Sequence, residues 1–138
     1  MWLPGHVAVG LLLSLALMLV GLRRGERLVT LLACMAFFSV LPDYLHLEGL
    51  RTFSHSFLGA GLMLAAGIVL LTAFLGWRPW LVMVAAVSLA SHLLADAYIG
   101  HIYPWYPWSL EIVQHNQFNT LFDVRVEVGL SMVAAVPL

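Results

Sequence analysis

Read for hydrophobic and polar positions, the chain alternates long apolar runs with short polar breaks. Residues 1–22, MWLPGHVAVGLLLSLALMLVGL, contain no Asp, Glu, Lys or Arg and predict a first membrane-spanning helix. Positive charges follow this run instead of preceding it, and no small-residue cleavage site closes it, so it reads as a span and not as a secretory signal. The break is RRGER, with Arg23, Arg24 and Arg27. A second run, Leu28 to Leu41, is short for a span and is expected to stop at Pro42, because a proline disfavours helix in the residue before it. The third run, Ser56 to Trp77, has no formal charge; Arg78 and Pro79 form a tight turn, and a fourth run extends from Trp80 to about Ile99. The stretch GHIYPWYPWSLEIVQHNQFN is too polar and too broken by proline to span. A last run, about Leu121 to Leu138, begins FDVRVEV and ends apolar, which predicts a fifth helix. There is no internal repeat and no low-complexity linker. At roughly 20 residues per span, the expectation is an all-α, polytopic helical membrane protein with four or five transmembrane helices in one integral membrane domain, 1–138.

Composition strengthens this reading. Of 138 residues, 62% are hydrophobic and 9% charged, where a soluble domain has about a quarter charged. Six basic and seven acidic side chains cannot cover a particle of 15.2 kDa, and the mean hydropathy is +0.97. The expected partner is therefore a lipid bilayer. A net charge of -1 and a pI near 6.6 provide no basic patch, which excludes nucleic acid as an expected partner. The single cysteine, Cys34, lies in LLACMAFF, so an intrachain disulfide is impossible.

Orientation follows from the arginines, since short cytoplasmic loops collect Arg and Lys. Arg23, Arg24, Arg27 and Arg78 fall at the first and third turns, on one side; Arg51 and Arg125 fall at or near the other. That balance puts the N-terminus outside. Trp77 and Trp80 would then mark the inner interface, and Trp2, Trp105 and Trp108 the outer one, although each could also be a packing aromatic.

The order of spans has a chemical consequence. The start of the first helix, the end of the second, the start of the third and the end of the fourth must share one face. Those places hold His6, then Asp43 and His46, then His55, then His92 and Asp96. Ionisable groups are expensive at membrane depth, with Asp costing about 2.5–3.5 kcal/mol at a helix centre, so their convergence needs a cause. A shared metal ion is the most economical one. His92 and Asp96, at i and i+4, leave the same helix face. Ser54 is the expected N-cap of the third helix, which would place that helix's N–H groups and positive dipole end beside His55. Imidazole and carboxylate ligands without thiolate fit a divalent ion, with Zn first and Mn or Fe as alternatives, singly or as a pair. Each residue has a plainer reading too. His6 would serve as an interfacial hydrogen-bonding residue, Asp43 as a loop N-cap after Pro42, and His92 with Asp96 as a pair joining helices. His101 and His115 read as surface histidines, and Asp123, Arg125 and Glu127 as interfacial charges.

The motifs GHVAVG (5–10), LPDYLH (41–46), LRTFSHS (50–56) and SHLLADAYIGHIYPWYPWS (91–109) resemble those of the YdjM-like inner-membrane proteins, described as metal-dependent hydrolases. That family's pattern is T-H-x-x-x-G, L-P-D-x-D-H, H-R-G-x-T-H-S, and S-H-x-x-x-D followed by Gly and a W/Y-P-F-type segment. The resemblance covers nearly the whole chain in order, and His6, Asp43, His46, Arg51, His55, Ser56, His92 and Asp96 match. Leu45, Leu50 and Thr52 depart from it; the missing carboxylate and imidazole weigh against a second metal. HLLADAYIG (92–100) is also similar to the H-x-x-x-D-x-x-x-G end of type-2 phosphatidic acid phosphatases, which use a His nucleophile and no metal. The chain has no lysine and lacks their K-x-x-x-x-x-x-R-P element.

The resulting expectation is a metal-dependent hydrolase of the inner membrane, with its site on the extracytoplasmic side and a lipid or lipid-linked ester or phosphoester as substrate. Asp43, His55, His92 and Asp96 are the expected metal ligands, and His6 completes the shell. His46 is a ligand or general base, and Arg51 stabilises an anionic transition state. An ion or proton transporter would reuse the same His and Asp, and a non-catalytic membrane partner protein would need no metal.

Overall fold

The structure is a computed structural model and describes residues 3–47 and 50–114. Among the described residues five helices follow in order: α1 (Leu3–Arg23), α2 (Leu28–Leu47), the single-turn α3 (Arg51–Ser54), α4 (Phe57–Leu75) and α5 (Pro79–Ile99). Of these, α1, α2, α4 and α5 are long and apolar enough to cross a membrane, so the protein is a polytopic helical membrane protein. The expected fifth span, about Leu121–Leu138, lies outside the described residues, as do Trp2, His115, Asp123, Arg125 and Glu127.

The helices are inside out relative to a soluble bundle. Leu13, Val69, Leu70 and Phe74 are exposed to the surroundings, while Ser14, Ser39, Ser88 and Ser91 are fully buried. Lipid solvates the apolar surface, and small polar residues let backbones approach inside. Helix α5 is central, packing against α1 and α2, which also pack on each other. The shared core is Met18, Leu31, Cys34, Met35, Phe38, Leu81, Val84 and Ala85. Two glycines set the close approaches: a Cβ at Gly10 would strike the Ser39 hydroxyl, and one at Gly67 would strike the Phe38 ring. Helix α4 is peripheral, leaning on α5 and touching α2 through Gly67.

RRGER stops α1 by a Schellman turn. Gly25 takes φ +89°, its N–H bonds to the Leu22 carbonyl, and the Glu26 N–H bonds to the Gly21 carbonyl, both at 3.0 Å. Glu26 then pairs with Arg78 at 3.1 Å, tying the α1–α2 turn to the α4–α5 turn at one end of the bundle.

Two local expectations fail. Helix α2 does not stop at Pro42 but runs through it to Leu47, making a full-length span. Proline removes the N–H that would meet the Phe38 carbonyl. Neighbouring helices support such an interruption in a membrane helix, and Pro42 is fully buried among them. Asp43 is therefore a helix residue and not a loop N-cap. Ser54 likewise is not the cap of the following helix. It closes the extra turn α3, and Ser56 caps α4, its Oγ accepting from the Gly59 N–H at 3.0 Å.

Beyond α5 the chain leaves the helical state, as expected, and folds back over the start of α4. Tyr103 N–H donates to the His55 carbonyl at 2.9 Å, and Phe57 N–H to the Pro104 carbonyl at 3.2 Å. A single antiparallel bridge, Ile102 with Val113, closes this segment.

Candidate metal centre

The bundle's threading brings five predicted side chains to one point. His6 comes from the first turns of α1, Asp43 from the end of α2, His55 from the residue that ends α3, and His92 and Asp96 from successive turns of α5. The three imidazoles are fully buried, Asp96 is nearly so, and Asp43 is 19% exposed. The most open side of the cluster is therefore Asp43, with Arg51 (28% exposed) reaching Asp96 Oδ2 at 4.0 Å.

Each carboxylate divides its oxygens between two sides. Toward His6 Nε2, Asp96 turns Oδ1 at 3.4 Å and Asp43 turns Oδ2 at 3.5 Å. Toward His55 Nε2, Asp96 turns Oδ2 at 3.0 Å and Asp43 turns Oδ1 at 3.7 Å. His92 Nε2 lies 3.8 Å from Asp43 Oδ1 and from Asp96 Oδ2, and 3.3 Å from His55 Nε2. Ligand atoms of His6, Asp43, His92 and Asp96 all lie within 4.8 Å of one another. Tetrahedral ligands at the usual 2.0–2.1 Å from zinc stand about 3.3 Å apart, so the spacing suits a shared cation.

The ring tautomers point the same way. His92 Nδ1 lies 2.8 Å from the Ser39 carbonyl, which can only accept. That nitrogen therefore carries the proton, and a neutral ring turns the Nε2 lone pair into the cluster. Ser54 Oγ lies 2.9 Å from His55 Nδ1 and donates to the Arg51 carbonyl at 3.4 Å. That contact fixes the ring so that His55 Nε2 also faces inward. At 3.0 Å from Asp96 Oδ2, His55 Nε2 needs a proton or a metal ion between the two atoms. Burial alone would lower the pKa of His55; its hydrogen bonds to Asp43 and Asp96 outweigh that and raise it above the ordinary imidazole value. The site draws positive charge to Nε2.

His6 makes the same demand independently. Both ring nitrogens are buried without a hydrogen-bond partner among the described residues, and its ring stacks on His92 with centroids 3.9 Å apart. A buried polar group left without a partner costs about 1–3 kcal/mol, which coordination through Nε2 would relieve. The donor set is three nitrogens and two carboxylates without thiolate, and it fits a divalent metal ion.

Of the sequence-predicted residues, His6, Asp43, His55, His92 and Asp96 assemble and Arg51 borders them. His46 falls on α2, and its side chain is outside the described part. His101 is half-buried beside Tyr103. Two supporting groups escaped the sequence. Ser39 acts through its backbone carbonyl, which leaves no side-chain signature, and Ser54 was readable only as a cap.

No protein-family profile, curated protein or solved structure matches the chain.

Proposed function

We propose that the protein is a metal-dependent hydrolase acting at the membrane interface on a lipid or lipid-linked ester or phosphoester. The observation that carries this reading is the convergence of His6, Asp43, His92 and Asp96 within 4.8 Å of one another, with His55 Nε2 against both carboxylates and the His92 lone pair aimed inward. The resemblance to the YdjM-like hydrolases supports it from the motifs. His6, Asp43, His55, His92 and Asp96 would hold the ion, with zinc favoured and manganese or iron as alternatives. When bound, such an ion lowers the pKa of a coordinated water toward about 7 and polarises the scissile carbonyl or phosphoryl group. Arg51, which reaches Asp96 at 4.0 Å, would bind the anionic oxygen of a phosphoester. His46 on α2 is a candidate base.

A proton or cation transporter would need acidic groups deeper along its path. Among the described residues, Asp43 and Asp96 are the only acidic residues within the spans, and both sit at the cluster. A screen of chromogenic esters and phosphodiesters with purified protein and added zinc tests the reading. Hydrolysis is expected, and Arg51→Ala should slow the phosphodiester more than the neutral ester, because a guanidinium recognises phosphate oxygens in bidentate fashion. Equal slowing of both would remove the anion-binding role. Absence of hydrolysis across the panel would count against the reading.

We place the protein in the inner membrane with the cluster facing outward, on the strength of four arginines at the opposite end. With Cys34→Ala as background, a cysteine replacing Ser109 should react with a membrane-impermeant thiol reagent on intact cells, and one replacing Glu48 likewise. Labelling only after cell opening would reverse the orientation and leave the cluster unaffected.

A further inference from the structure

Between α4 and α5 lies a cavity of about 520 Å³ that the proposed chemistry does not use. Its volume falls within the roughly 300–1,000 Å³ of small-molecule sites, and every lining residue is apolar. Small side chains create it. Ala60 and Gly61 of α4 face Ala86, Ala90 and Ala97 of α5, and a Cβ added at Gly61 would meet nothing within 4 Å. From Ala86 to Ala97 the groove follows α5 for about 16 Å at 1.5 Å per residue.

Its position relative to the cluster is set by helix geometry. Leu89, Leu93 and Ala97 line the groove at four-residue spacing. Each is one residue beyond Ser88, His92 and Asp96, which repeat at the same spacing on the adjoining face. The groove wall and the candidate ligands are thus neighbouring faces of the same turns. The upper end of the groove is Phe57, two residues past His55, with Ile102. The Phe57 ring stands edge-on to Trp105 at 5.4 Å, and Trp105 and Trp108 are exposed, as residues at the lipid headgroup level are. The groove therefore descends from the interfacial level of the cluster into the hydrocarbon.

We propose that this groove holds one acyl chain of a membrane phospholipid and so presents that lipid's ester or phosphoester linkage to the His/Asp cluster. Hydrocarbon is the solvent along these helices, the lining offers no hydrogen-bonding side chain, and the end at Phe57, Ala97 and Ile102 lies at the level of the cluster, where a headgroup linkage would lie. This assignment of substrate class rests on the hydrolase reading for its chemistry, while occupancy of the groove can be measured without it.

The full chain would be placed in nanodiscs containing phosphatidylglycerol with a diazirine midway along one acyl chain, irradiated, and its adducts mapped by mass spectrometry. A second apolar groove, of about 250 Å³ between α2 and α4, is lined by Thr30, Leu71 and Leu75 at the opposite end and reports passive solvation. Adducts on Ala60–Leu64 and Ala86–Leu94 are expected in several-fold excess over those on the second groove. Gly61→Leu, which extends into open space, should remove that excess while bound zinc stays at the wild-type level; Ala90→Leu should act alike from the other wall. Even labelling of both grooves, or an excess that survives both substitutions, would overturn the proposal and leave the hydrolase reading standing. A groove excess in protein that binds no zinc would support the acyl site and sink the hydrolase reading. A dimer dissolved by Gly61→Leu, or a disulfide from position 61 to a cysteine within 121–138, would give the groove to a protein surface and overturn the proposal.

Discussion

Purified in detergent, the protein is expected to carry stoichiometric zinc, and His92→Ala, His55→Ala and Asp96→Ala are each expected to lose nearly all of it while still inserting into the membrane. Each of these side chains places a donor atom within 4 Å of at least two of the others. Removing one leaves the remaining carboxylates buried without their cation. Ser54→Ala should act more weakly. It deletes only the hydroxyl that fixes the His55 ring, and losing such a supporting hydrogen bond typically weakens metal binding about 10- to 100-fold. His115→Ala should leave metal content unchanged. Elemental analysis across this series distinguishes ligands from helix-joining residues. Full metal retention in both His92→Ala and Asp96→Ala would make the pair a structural contact and remove the metal centre.

Much of the arrangement was legible because ionisable residues are so scarce in the spans. With few charges available, the order of spans alone puts His6, Asp43, His55, His92 and Asp96 at one end, and the structure brings their side chains together. The spans of α1, α4 and α5 were equally plain, since runs of apolar residues need no partner to be recognised. Illegible were the places where a local rule meets its surroundings. Pro42 reads as a stop by its effect on the preceding residue, but a proline buried between helices in lipid interrupts one hydrogen bond without ending α2. FSHSF offers two serines as caps, and only the extra turn of α3 decides for Ser56. The Ser39 carbonyl, which orients His92, belongs to the backbone and carries no identity in the sequence. The groove beside α5 depends on how far α4 stands off, which small residues permit but do not specify.

Hydrolysis of a phosphoester substrate is expected to stop under a chelator and to return with zinc or manganese, and no phosphohistidine should be trapped with labelled substrate. The alternative, suggested by the similarity of HLLADAYIG to type-2 phosphatidic acid phosphatases, makes His92 a nucleophile. Its Nε2 does carry the lone pair such a role needs, because Nδ1 is engaged by Ser39. Its surroundings oppose that role. Asp43 Oδ1 and Asp96 Oδ2 each lie 3.8 Å from Nε2, so a phosphate brought to that nitrogen would meet two carboxylates in a buried site where water screens little. One nearby guanidinium, Arg51, reaches only the edge of this pair, at 4.0 Å from Asp96. A divalent cation held among the same atoms reverses the sign of the field and makes the carboxylates ligands instead of obstacles. Chelation therefore separates the two mechanisms: activity that persists without metal and yields a labelled phosphoenzyme would establish the histidine nucleophile. Activity lost on chelation and restored by metal, with no such intermediate, assigns His92 to holding the ion.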